Sequence, residues 1–93
     1  MATDPEALTQ LSRLLGEALS ASVSSEQVQR AVESRFDHLV DGLVTEAAAS
    51  DDVFDRESAF EFIDARLLDL SSWLRTDQAS RLRSAVHGKI EAW

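Results

Sequence analysis

The sequence contains two histidines, seventeen carboxylates and no cysteine, so any metal or acid–base chemistry must come from imidazole and carboxylate groups. His38 follows Ser34 by four residues and precedes Asp41 by three, the nearest approach in the chain to ligands converging along one helical edge. A lone histidine beside a carboxylate is more often a solvated pair than a metal site. The Glu-x-x-His pairs that build di-iron carboxylate bundles do not occur. His87, among Arg83 and Glu91, offers still less. The run Asp51, Asp52, Asp55, Glu57 has the charge of a calcium loop but neither its central glycine nor its alternating ligand order, and helix capping accounts for it better.

Glu57 and Glu61 stand one helical turn apart. Their repulsion costs only about 0.2–0.5 kcal/mol on a hydrated helix, so they signal a wet face and not a tuned catalytic pair. Gly-x-Ser-x-Gly, phosphate-loop and dinucleotide fingerprints are missing, and three scattered glycines cannot supply one. The expectation is a protein that is not an enzyme and holds no cofactor or metal.

A better functional candidate is the flank formed by Phe62, Arg66 and Trp73. Left in water, each aromatic would forgo about 2–3 kcal/mol of burial, a sum comparable with the whole stability of a small domain. Something should cover them: either another helix of the chain, or a second copy or a different protein, since Trp, Phe and Arg dominate interface energetics. Trp93 poses the same choice. The expected partner-binding residues are therefore Phe62, Arg66, Trp73 and Trp93, in a homodimer or against a protein partner.

These residues need a scaffold, and apolar spacing supplies one. Phe60, Ile63, Leu67, Leu70 and Leu74 recur at steps of three and four, extended by Val53, which is the seam of a helix packed on helices. Glu57, Glu61 and Asp64 mark its wet side. Before it, Leu8, Leu11, Leu15 and Ala18 form one apolar stripe, widened by Leu14 and Leu19, and Val28, Val32, Phe36, Leu39, Leu43 and Ala47 form another, with Val40 at its margin. Gly16 weakens the first helix by about 1 kcal/mol relative to Ala unless something packs closely there. Ala79, Leu82, Val86, Ile90 and Trp93 make a fourth. Asp4 with Pro5 marks the first start, Ser24 with Gln27 a capping box, and Asp51, Asp52 or Asp55 the third start, while the serines from 20 to 25 break the chain. The expectation is a single all-α domain over 1–93, an antiparallel four-helix bundle of two hairpins, with helices near 5–20, 25–49, 52–74 and 77–92 and the third central.

The formal charge of −8 argues against direct nucleic-acid binding, and no run approaches the roughly 18 apolar residues of a membrane span, nor does a secretory signal open the chain. The chain reads as soluble and cytoplasmic. From Arg75 onward, four basic residues face two acidic ones, so the last helix should dock on acidic neighbours. Leu19-Ser20, Val23, Ser25-Glu26-Gln27 and Arg30 align with Leu70-Ser71, Leu74, Thr76-Asp77-Gln78 and Arg81 at an offset of 51 residues, either through shared cap chemistry or through a duplicated hairpin. Val23-Ser24-Ser25-Glu26-Gln27 resembles, over five residues, the LTxxQ motif of periplasmic Spy-like chaperones and metal-stress sensors. Leu74-Arg75-Thr76-Asp77-Gln78 departs from it at the second position. Three functions follow as expectations. The first is a protein-interaction module. The second is an acidic inhibitor of phage anti-defence type, occupying the basic site of a nucleic-acid-binding protein through Glu33, Asp37, Asp41, Glu57, Glu61 and Asp64. The third, which the resemblance implies, is a chaperone or metal-stress sensor.

Overall fold

A computed structural model of the chain describes residues 5–19 and 23–93. All regular structure among them is helical: α1 (Pro5–Leu15), α2 (Ser25–Ser34), α3 (Phe36–Ala49), α4 (Arg56–Leu70), a 3-10 turn (Ser71–Trp73) and α5 (Thr76–Glu91). Asp4, expected to cap the first helix, and Ser20 to Ser22 of the expected break lie outside the described residues.

α1 stops a turn earlier than expected because Gly16 terminates it. Gly16 has a φ of +66°, a left-handed conformation that favours glycine. Its N–H donates to the Arg13 carbonyl at 3.2 Å and that of Glu17 to the Ser12 carbonyl at 3.0 Å, the paired bonds of a Schellman stop. The glycine that a helical reading makes a weakness is thus the terminator. The Ser12 hydroxyl holds the returning chain by accepting from Leu19 N–H at 3.2 Å.

The expected helix over 25–49 is two helices, α2 and α3, divided at Arg35. Arg35 leaves helical geometry (φ −124°, ψ 35°). Its guanidinium donates to the Leu15 carbonyl at 2.9 Å, adding a side-chain cap to the end of α1. The expected helix over 52–74 also contracts. Asp55, and not Asp51 or Asp52, is its cap: Ser58 N–H donates to Asp55 Oδ1 at 2.8 Å, and Asp55 N–H donates back to Ser58 Oγ at 3.1 Å. The hydrogen bond from Ser58 N–H first, and one from the Ser58 side chain second, hold the Asp55 carboxyl below its ordinary value of 3.8. After Leu70 the winding tightens into the 3-10 turn.

Leu11, Leu15, Leu39, Leu43, Ile63, Leu70, Leu82 and Ile90 are fully buried and anchor a core drawn from α1, α3, α4 and α5. α3 packs against each of the other α-helices, and α4 against α1, α3 and α5, so the central position expected of the third helix falls to α3 as much as to α4. Gly42 permits the approach of α1, since a Cβ there would lie 3.1 Å from Leu14 Cδ2 and 3.4 Å from the Leu14 carbonyl oxygen.

Candidate interaction surface

The basic C-terminal helix is surrounded by acidic partners. Arg75 (3.2 Å) and Arg81 both pair with Glu33 of α2, Lys89 with Asp41 of α3 at 3.4 Å, and Arg83 with Asp64 of α4 at 2.9 Å. Beside the Glu33 pairs lies Gln78, a fully buried polar side chain. Its amide donates to the Gln29 carbonyl at 2.9 Å and to Glu33 at 3.3 Å, while its Oε1 accepts from Arg75 N–H at 3.2 Å. Gln78 is therefore hydrogen-bonded at both ends of its amide, as a buried amide must be. The hydrogen bond from Arg81 is the largest influence on the Glu33 carboxyl and, with smaller ones from the Gln78 hydrogen bond and the charges of Arg81 and Arg75, holds it below its ordinary value of 4.5, although desolvation, second in size, raises it.

The two copies of the internal repeat share one element of this geometry. Gln27 Oε1 accepts from Ser24 N–H at 2.9 Å, as Gln78 Oε1 does from Arg75 N–H. In both copies of the LTxxQ-like segment the glutamine reaches back three residues to satisfy a helix start, which is shared cap chemistry.

The flank expected to bind a partner is mostly used inside the chain. Trp73 is only 4% exposed. The 3-10 turn carries it off the line of α4, and that turn packs against α1 and α2. Phe62 is half-buried, with the Arg66 guanidinium 5.2 Å above its ring. Arg66 Nη1 donates to Gln10 of α1 at 3.0 Å, and its Nε lies 3.5 Å from Glu46 of α3, which Arg13 of α1 also grips at 3.0 Å. Helix α1 thus covers the flank. Of the four aromatic-flank residues only Trp93, 48% exposed, faces solvent to a large degree. Apolar periodicity puts Trp73 on the outer flank only if the helix is continuous, and the winding changes at Ser71.

The acidic set divides as well. Glu33, Asp41 and Asp64 are engaged by α5, whereas Asp37, Glu57 and Glu61 are exposed and make no ion pair among the described residues. His38 lines a shallow hollow of about 330 Å³ with Asp41, Gly42 and Glu46. Among the described residues, no three His, Asp or Glu side chains converge as metal ligands.

Sequence reasoning missed the site between α4 and α5. His87 Nε2 lies 2.9 Å from Asp64 Oδ1, Arg83 straddles the same carboxylate at 2.9 and 3.4 Å, and Phe60 stacks on the imidazole at 4.5 Å between ring centroids. Partial burial is the largest single influence on Asp64 and raises its pKa, but the hydrogen bonds and charges of Arg83 and His87 together hold it below 3.8. The Asp64 contact also raises the Arg83 guanidinium above its ordinary value. Beside this cluster runs an open groove of about 470 Å³, lined by Leu67, Leu68, Ala79, Ser71, Ser80 and the Asp64–Arg83 pair. Leu68 is 74% exposed at this groove. The signal in the sequence is faint: Leu68 falls on the Glu57, Glu61, Asp64 side of α4 at ~100° per residue, an apolar residue where a wet face calls for a polar one.

No protein-family profile, curated protein or solved structure matches this chain. Among the described residues, no helix is long and apolar enough to cross a membrane.

Proposed function

We propose that this chain is a non-enzymatic protein-interaction module, an antiparallel bundle of four rods with α2 and α3 forming one bent rod, that engages a protein segment or a second copy through the α4–α5 groove. The carrying observation is Leu68, a large apolar side chain 74% exposed at a groove whose other lining residues include Leu67 and Ala79. A groove of about 470 Å³ falls in the range that accommodates a ligand-sized group, here the apolar side chains of a docked helix or strand. The Asp64–Arg83–His87 cluster supports a recognition role over catalysis, because its carboxylate is already bound by two internal partners and its imidazole is stacked on Phe60.

The test is Leu68→Glu, compared with wild type by light scattering at micromolar concentration and by capture from the natural host's lysate. Helicity and melting temperature should be unchanged, while self-association, or capture of a partner, falls at least about tenfold. Undiminished association by the variant would sink the groove as the contact surface. The acidic-inhibitor reading retains only Asp37, Glu57 and Glu61 as uncommitted carboxylates of its six, and is the weaker account.

A further inference from the structure

The far end of the α4–α5 pair carries a second exposed apolar pair, separate from the Leu68 groove. Phe54 is 84% exposed in the loop before α4, and Trp93 is exposed after α5. Arg56 Nη1 donates to the Glu91 carbonyl at 3.1 Å, and each aromatic lies two residues from that bond, so both stand at the same end of the molecule. Their charged surroundings are predominantly acidic, with Arg56 set among four carboxylates. Asp51, Asp52, Glu57 and Glu91 are exposed, and none makes an ion pair among the described residues. Lys89 pairs with Asp41, whereas Arg56 donates to the neutral Glu91 carbonyl and keeps its charge, so the four carboxylates leave this end net negative.

We infer that the Phe54–Trp93 end is a docking surface for a basic segment of another protein, one in which Lys or Arg flanks an apolar residue. Two exposed aromatics offer the desolvated contact that dominates interface energies, and Trp93 adds a ring face suited to a guanidinium or ammonium group. The carboxylates around them, in excess over Arg56, select positive charge and disfavour wrong partners. A second copy is a poor occupant, since two such ends would oppose like charges, and polyanions are repelled for the same reason.

The probe is a synthetic amphipathic peptide of alternating Lys and Leu character, with Glu/Leu and Lys/Ser peptides as controls, titrated into isotopically labelled protein. The chain has only two tryptophans, so buried Trp73 serves as the internal reference for Trp93. The Lys/Leu peptide should move the Trp93 indole N–H resonance and leave that of Trp73 in place. Phe54→Ser with Trp93→Ser should weaken binding at least about tenfold, and Asp51→Asn with Asp52→Asn several-fold. Raising NaCl from about 50 to about 300 mM should also weaken it several-fold, as screened charge requires. Leu68→Glu should leave this binding intact, which separates this surface from the groove. Absence of binding, binding that leaves Trp93 unmoved, or equal binding of the Glu/Leu peptide would overturn the assignment.

Discussion

Two sides of this small protein treat charge in opposite ways. Around α5, carboxylates from three other helices are matched with Arg and Lys: Glu33 with Arg75 and Arg81, Asp41 with Lys89, and Asp64 with Arg83. On the outer side of α4 and in the loop before it, Asp51, Asp52, Glu57 and Glu61 are exposed without such partners, and Phe54, Leu68 and Trp93, the large exposed apolar side chains among the described residues, lie on the same α4–α5 half. Solvent-exposed ion pairs contribute little stability each, so the matched side is chiefly a means of placing α5 in register, with burial of Leu82, Val86 and Ile90 supplying most of the energy. The unmatched side does nothing comparable for the fold. That asymmetry separates charge that builds the molecule from charge that is free to meet something else.

The two tryptophans give the largest expected contrast between interior and surface. Trp73→Ala removes a 4% exposed side chain at the junction of α4 and α5 and should cost about 3–5 kcal/mol. Trp93→Ala should change stability by less than about 1 kcal/mol. Urea unfolding followed by circular dichroism measures both, and equal losses would erase the distinction.

Next in size is Gln78→Ala, which leaves a hole and strips hydrogen bonds from the Gln29 carbonyl and Arg75 N–H, for a loss of about 2–3 kcal/mol. A near-neutral outcome in the same unfolding assay would mean that the buried amide does not hold α5 to α2.

The smallest effect concerns acid. The Glu33 pKa is lowered in the folded state, so its contribution is complete above 4.5 and is lost as pH falls through the lowered value. Glu33→Gln should therefore lower the melting temperature modestly at neutral pH and converge with wild type at strongly acidic pH. Glu57→Gln with Glu61→Gln should change the neutral melting temperature little, because relief of a like-charge pair one turn apart is offset by loss of the Glu57 charge from the first turn of α4. Thermal melts from neutral to strongly acidic pH distinguish them, and a loss at Glu57/Glu61 as large as that at Glu33 would show that the α4 charges are structural after all.

The helical class and its core faces were legible because they depend on local spacing. Val28, Val32, Leu39, Leu43, Ile63, Leu67, Leu70, Leu82, Val86 and Ile90 all fall on predicted stripes and are all buried. The charge contrast of the last helix also foretold acidic neighbours. Boundaries set by distant contacts were not legible. Nothing in Ser34-Arg35-Phe36 announces a break, since neither Gly nor Pro is present, and the Leu15 carbonyl that Arg35 caps lies twenty residues away. The fate of Trp73 depended on a change of winding at Ser71 that apolar periodicity does not encode. The Asp64–Arg83–His87 cluster joins residues 19 and 23 positions apart, and only the register between α4 and α5 assembles it.

The unmatched carboxylates of the α4 side have a consequence for the surrounding solution. With only Arg56 set among them and no ion pair to answer them, they gather a diffuse atmosphere of mobile ions, which the α5 side has replaced with its own arginines and lysine. A basic chain settling on Phe54 and Trp93 would set those ions free, so that part of the driving force for its capture resides in the solvent and not in the contact itself.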